Sequence, residues 1–449
     1  MHIAIDPLIA PPRPQVRLNV FQRLIRSWET VHPYNAAQVL KISGQADMGA
    51  IDRAWQRALY ALGLGPVEAA GGVYRFSHGD TRFAVRELPV ETHLADHLSL
   101  AINEPFDHPN EPPFRPFVIS GPDAFHFGVV YQHWVADSIS IRLLLREWFL
   151  QLDQPSLSGR GRPDLSDDGY WNLFGPRAAR RSPVQNVMSL LRSYTAFRTV
   201  QKVALSGAAD YPSRVLLKTL PAPFVQNLRS AVRPHSATVG DALQAALAIA
   251  CHQHMPLQRR PSRRDLAVGS IVDLRPHARR DLSGAFGMYL GFSHVVCRSH
   301  HLRDFPRLLQ SVSRQNRARQ RDGVAQASLA WMLAAWTVHR FGKPSNLYRF
   351  YRKEMPLAAG LSNVNLAGAW PDSIGPDDAR LSSPEPSDRA ILDYLRVSPT
   401  GPMAPLVLSA TTFGGAMRLA VSYRTSLFNE PQATELTQCV VDCLASITG

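Results

Sequence analysis

AFHFGVVYQHWVAD, residues 124–137, reads as a strand running into a loop that holds one histidine and, four residues on, one aspartate. Strand side chains alternate between two faces, so Phe125, Phe127, Val129, Tyr131 and His133 fall on one of them. His133 continues this apolar row and is expected to point into the protein. SISIRLLLREW, residues 138–148, follows as a helix. An inward-facing imidazole at a strand-to-helix junction is a candidate general base.

The spacing alone selects nothing. With 16 His and 36 acidic residues in 449, roughly one His-x-x-x-Asp arises by chance. The chain holds four: His2/Asp6, His133/Asp137, His277/Asp281 and His300/Asp304. His2 sits at the N-terminal tip, where order is poorest. His277 to Asp281 lies in PHARRD, a polar segment suited to a solvated loop. His300 follows an expected strand, FSHVVC, but charged neighbours surround it, and Asp304 reads as the N-cap of the next helix. Only His133 ends an apolar strand face without an intervening charge.

At 449 residues the chain exceeds one ordinary core, so two domains are expected. Hydrophobic residues make up 45% and charged ones 19%, a globular rather than disordered balance. The formal charge is +13, carried mostly by arginine. It reads either as a compositional habit or as a basic surface for an acidic or phosphorylated partner. Basic clusters occur at Arg259, Arg260, Arg263 and Arg264, and at Arg314, Arg317, Arg319 and Arg321. No zinc-finger spacing, basic zipper or aromatic-basic RNA signature accompanies them, so nucleic acid is not the expected partner.

Cys251, Cys297, Cys439 and Cys443 show no C-x-x-C spacing. Cys439 and Cys443, one helical turn apart, read as core filling rather than metal ligands. The histidines form no H-E-x-x-H or Cys/His cluster, so no metal is expected. The opening MHIAIDPLIAPPRP lacks a charged start and apolar run, and no stretch is apolar enough to span a bilayer. A soluble, cytoplasmic protein is the expectation.

Working outward, residues 36–43 read as a strand and 47–62 as a helix with Ile51, Trp55, Ala58, Leu59 and Leu62 on one face. A strand at 73–76 is predicted to face 83–88 across a turn at 77–80. Residues 153–183 shift towards Gly, Pro, Ser, Asp and Arg and read as a linker, with a short turn at 170–174. An amphipathic helix is predicted over 184–205, with Arg192, Arg198 and Lys202 on a basic face. In the second half, strands are predicted at 213–220, 266–274 and 289–297. Thr238 and Asp241 form a capping box for an Ala/Leu-rich helix, which ends on His252 and His254, a favourable place for positive groups. Helices follow near 305–320 and 328–340. A hairpin joins 405–412 to 418–423 through Phe413-Gly414-Gly415-Ala416, and a helix covers 431–447. Both halves thus mix strands and helices, giving an α/β chain with mixed (α+β) sheets and two expected domains, 1–183 and 184–449.

The order of these segments resembles the chloramphenicol-acetyltransferase-like superfamily, which includes nonribosomal peptide condensation domains, alcohol acetyltransferases and polyketide-associated acyltransferases. NEPFDHPNEPPFRPFVI (103–119) looks like the segment leading into that family's active-site strand. QHWVADS (132–138) is similar to its His-His-x-x-x-Asp-Gly motif. ATVGDALQAALAIA (237–250) resembles the opening helix of the second half and VDLRP (272–276) the strand carrying its arginine; LSNVNL (361–366) and the final hairpin and helix also fit the family. Their order along most of the chain makes the set specific.

The resemblance implies two chloramphenicol-acetyltransferase-like lobes in a V with a central active-site tunnel. It implies an acyltransferase moving an acyl group from a thioester, on coenzyme A or a phosphopantetheinyl acyl carrier protein, to an alcohol or amine in secondary-metabolite or lipid biosynthesis. No tightly bound cofactor is implied, and a monomer is expected. His133 would be the base. Asp137 would pair with Arg275 as structural support; the residues alone leave it equally an N-cap. Gln132, Trp134, Ser138 and Asn363 are candidate substrate-channel residues. Two departures stand out. Gln132 replaces the motif's first histidine and Ser138 its glycine. They leave open a second reading, a non-catalytic condensation-like domain that docks a carrier protein or assembly-line partner. No G-x-S-x-G elbow is present, which disfavours a serine acyl-enzyme.

Overall fold

A computed structural model of the chain describes residues 15–77, 84–107, 111–155, 158, 170–174, 191, 195–204, 212–258, 260–321, 323–341, 357–366, 389–402 and 404–448. The first part runs β1 (Val16–Arg17), α1 (Val20–Glu29), β2 (Asn35–Ser43), α2 (Met48–Leu62), β3 (Val67–Ala70), β4 (Val73–Phe76), β5 (Arg86–Leu88), α3 (Leu94–Ala101), β6 (Phe114–Ile119), β7 (Ala124–Gln132), α4 (Ser138–Asp153) and α5 (Tyr170–Phe174). It continues through β8 (Lys202–Val203), β9 (Ser213–Leu220), α6 (Ala222–Val232), α7 (Val239–His254), β10 (Leu257–Gln258), β11 (Leu266–Asp273) and β12 (Leu290–Cys297). The last part holds α8 (Phe305–Arg321), α9 (Val324–Phe341), β13 (Ala359–Asn365), β14 (Ile391–Val397), β15 (Leu406–Phe413), β16 (Ala416–Arg424) and α10 (Glu430–Ala445). None of the described helices is long and apolar enough to cross a membrane.

Two mixed sheets organise two lobes. One has five strands in the order β14-β2-β7-β6-β5, the other six in the order β12-β11-β13-β15-β16-β9. On the first sheet, α2 and α4 cover one face. Ile51, Trp55, Ala58 and Leu59 recur at helical spacing and are buried there, and the Phe127 ring stacks on Trp148 with centroids 3.6 Å apart. In the second lobe the Thr238/Asp241 capping box starts α7 as expected. Its Ala- and Leu-rich turns are buried in a second core with Leu308, Val421 and Leu436. Asp304 accepts the Arg307 N–H at 3.0 Å, the N-cap expected of it.

The other face of the first sheet is also buried. Ala37, Val39, Phe117 and Val130 pack with Leu395 and Val397 of β14 and with Val215 and Ala420 of the second sheet. This buries β7 on both faces from Phe127 to Gln132. It also crosses the expected division at residue 183: β14, from the second half of the chain, pairs antiparallel with β2, Leu395 opposite Val39.

Some expectations change. Residues 73–76 do not pair with 83–88; β4 pairs with β3 and β1, and β5 pairs parallel with β6. Gly71 and Gly72, with φ of 59° and 86°, form a two-residue turn that makes β3 the near partner. The predicted linker at 153–183 and helix over 184–205 lie largely outside the described residues. Within them, 170–174 and 195–197 are helical, while the end of the second segment holds β8. Three helices were not foreseen: α1, α3 and α6.

Gly128 is required by a close approach. It lies opposite Phe117 across the β6–β7 ladder, and an added Cβ would stand 2.2 Å from the Phe117 ring. That ring is buried, so it or the sheet must shift to make room. Gly128→Ala is therefore expected to cost about 1–3 kcal/mol of stability, read from urea unfolding; an unchanged midpoint would show that the ring finds another rotamer.

Candidate active site

β7 stops at Gln132, and His133 opens the turn into α4 rather than ending the strand. Its backbone N–H donates to Tyr34 O at 3.2 Å, which ties the turn to the chain entering β2. The ring lies between Tyr34, nearly parallel at 5.7 Å, and Tyr131, edge-on at 5.7 Å. Nδ1 is 3.1 Å from Ala136 O. A carbonyl only accepts, so Nδ1 carries the proton and Nε2 the lone pair. Nε2 has no partner among the described residues. Burial holds the His133 pKa below the ordinary histidine value, although Ala136 O and Asp137 act in the opposite direction. The imidazole is thus neutral at pH 7, in the tautomer a base needs.

Asp137 does both things the sequence allowed. As N-cap of α4, its Oδ1 accepts from Ile139 N at 3.1 Å and Ser140 N at 3.0 Å. As ion-pair partner, it takes Arg275 in a fork: Nη1 to Oδ2 at 2.8 Å and Nη2 to Oδ1 at 3.0 Å. Tyr289 N adds a bond to Oδ2 at 2.9 Å. Burial alone would raise this carboxyl's pKa, but the Arg275 charge and these hydrogen bonds outweigh it and leave it below the usual carboxylate range. Arg275 follows β11, so the pair fastens the His133 turn to the second lobe.

Of the four candidate channel residues, two line the cavity beside His133, Ser138 and Asn363. The other two turn away. Gln132 is buried and donates to Glu29 Oε2 at 3.2 Å. Glu29 is itself uncharged at neutral pH, burial having raised its pKa to about 8. Trp134 is 1% exposed and packs edge-on against Tyr74 at 5.6 Å, in the core rather than the channel. Alternation already sets Gln132, the last residue of β7, on the face opposite Tyr131; Trp134 lies in the turn beyond the strand, where alternation no longer applies.

The cavity measures about 330 Å³ and takes walls from both lobes. Sequence reasoning missed much of its lining. Phe21, Ile25 and Trp28 come from α1, whose signal was available: Asn19 and Gln22 form a capping box before an apolar spacing of three and four. Arg142, Arg396 and His294 had no local signal. His294 is buried with Nε2 unpartnered among the described residues, and burial, with Arg319 adding to it, holds it well below the ordinary histidine pKa. A neighbouring cavity of about 460 Å³, lined by His277, Arg317 and Arg319, shares the Asn363 wall.

This arrangement of two mixed sheets around one shared cavity has close counterparts among solved structures. The trichothecene 15-O-acetyltransferase of Fusarium sporotrichioides superposes with a TM-score of 0.71 at 12% identity, over 97% of this chain and 95% of that one. The condensation domain of the monacolin K polyketide synthase gives 0.64 at 13% identity, over 97% of each. The chain has the condensation-domain fold. No family model matches the sequence. A plipastatin synthase polypeptide of Bacillus subtilis (strain 168) is 23% identical over 303 residues, 62% of this chain and 11% of that protein. The match thus spans about a tenth of the length of that polypeptide.

Proposed function

We propose that the chain is a thioester-dependent acyltransferase in which His133 is the general base. Nε2 removes the proton from an acceptor hydroxyl or amine as its oxygen or nitrogen attacks the thioester carbonyl. The imidazolium then returns that proton to the departing thiolate, so the base is regenerated and acyl group and proton are exchanged. General-base assistance contributes about 10²–10⁴-fold; holding both substrates in one enclosed space supplies further acceleration. Asp137 and Arg275 position the turn and touch neither substrate. The donor is a thioester of coenzyme A or of an acyl carrier protein, and no tightly bound cofactor is required. The observation that supports this most is the unpartnered Nε2 of His133 at the wall of a cavity shared by two lobes. Intact-protein mass spectrometry of acylated carrier proteins, run beside a coenzyme A thioester panel with mixed alcohol and amine acceptors, tests it. Acceptor-dependent loss of the acyl group is expected; no loss from any donor overturns the reading. A stable carrier complex without transfer would instead support a docking domain, the reading that Gln132 and Ser138 motivate.

The pH dependence follows from the same burial. His133 must be neutral to accept a proton, and its pKa lies below 6.5. kcat/KM is therefore expected to be level across neutral pH and to fall on acidification, with its midpoint below 6.5. A midpoint above 7 would assign the limb to another group.

A further inference from the structure

Arg142 and Arg396 both line the His133 cavity. Arg142 lies on α4 one helical turn after Ser138. Arg396, on β14, donates from Nη1 to Ser138 Oγ at 3.1 Å, so the two guanidiniums share one region of the wall. Arg396 is only 3% exposed. Its other hydrogen bonds also end on neutral oxygens: Thr411 Oγ1 at 3.1 Å, Ser362 Oγ at 3.3 Å, and the Ser362 and Ala410 carbonyls at 3.1 and 3.2 Å. Arg142 Nε is buried with no hydrogen-bond partner among the described residues. Neither arginine has a carboxylate at ion-pair distance among those residues.

A buried cation beside a second, half-buried one is costly without an anion. Burial, with the Arg142 charge contributing, lowers the Arg396 pKa to about 10, which still leaves it charged at neutral pH. The cavity's own acid, Asp273, does not neutralise them: it accepts from the Arg275 backbone N–H at 3.1 Å and from Nη1 at 3.4 Å. Phe21, Ile25 and Trp28 line the same cavity from α1. Ser138, at the position where the related motif has glycine, supplies the hydroxyl that anchors Arg396.

We propose that the cavity selects a substrate carrying a carboxylate, hydrogen-bonded by Arg142 and attracted by the charge of Arg396, whose five N–H groups already have acceptors, with an apolar body against α1. Placing that substrate's nucleophile at His133 rests on the acyltransferase reading; the anion site itself does not. A guanidinium such as that of Arg142 matches a carboxylate in geometry and charge.

Titration calorimetry of octanoate and octanamide, near-isosteric probes that differ in charge, tests the site. Wild type is expected to bind octanoate roughly tenfold or more tighter, the scale of a charge-assisted hydrogen bond. Arg142→Gln should bring the ratio near one, and Arg142→Lys should keep part of it. Equal binding by wild type, absent octanoate binding, or an unchanged ratio in Arg142→Gln overturns the proposal. 8-Hydroxyoctanoate and 1-octanol as acceptors separate the two readings. Octanoate preference with no transfer to either acceptor sinks the acyltransferase and leaves the anion site. Equal transfer to both sinks the anion site and leaves the acyltransferase.

Discussion

His133→Ala is expected to lower acyl transfer by about 10²–10⁴-fold while the protein stays folded. The ring donates one hydrogen bond, to Ala136 O, and rests between two tyrosines without filling a closed core. Losing one such bond costs about 0.5–1.5 kcal/mol, too little to unfold a chain with two cores of its own. Single-turnover transfer and a circular-dichroism melt on the same sample measure both halves. His133→Gln keeps a polar side chain there without a basic nitrogen and should be equally inactive. Full transfer by either folded variant removes His133 from the chemistry; a large drop in melting temperature for both would make it a structural residue.

Asp137→Asn should have the largest effect on stability. Both carboxylate oxygens accept only from donors: Oδ1 from Arg275, Ile139 and Ser140, Oδ2 from Arg275 and Tyr289. An asparagine has one accepting oxygen, so whichever way its amide is turned, its NH₂ group faces N–H groups. Arg275 is then left buried without a counter-charge. Breaking a buried pair in this way costs about 3–5 kcal/mol, read as a shift in the denaturation midpoint of the lobe that holds α4. The pH dependence has a definite sign. The folded-state pKa of Asp137 is depressed, so its stabilisation is complete above the unfolded value of about 3.9 and is lost as pH falls through the folded value. The gap between wild type and Asp137→Asn is therefore constant across neutral pH and closes in acid. Unchanged melting together with lost transfer would give the aspartate a chemical role.

Much of this was legible in the residues. Period and caps are local properties, so α2, α7 and the strand leading to His133 follow from spacing alone, and the Thr238/Asp241 box marks the start of α7 to the residue. Asp137 shows the limit. Its sequence position supports capping and pairing equally, and only the approach of Arg275, 138 residues away, shows that both occur. α1 was missed although its capping box was present, because the apolar run is short and its partners are distant. β14 carries no local mark of belonging to the first sheet.

The sequence by itself determined which side chains were available for chemistry: one histidine just after an apolar strand, an aspartate at a helix start and an arginine after a later strand. Tertiary structure alone decided which of them meet. β14 returns to pair with β2 and carries Arg396 to Ser138, 258 residues earlier in the chain, while Gln132 and Trp134 turn from the cavity into the interior. The reason is physical. Periodicity fixes which face a side chain takes within its own element, but which element covers that face is set by burial and strand pairing over the whole chain.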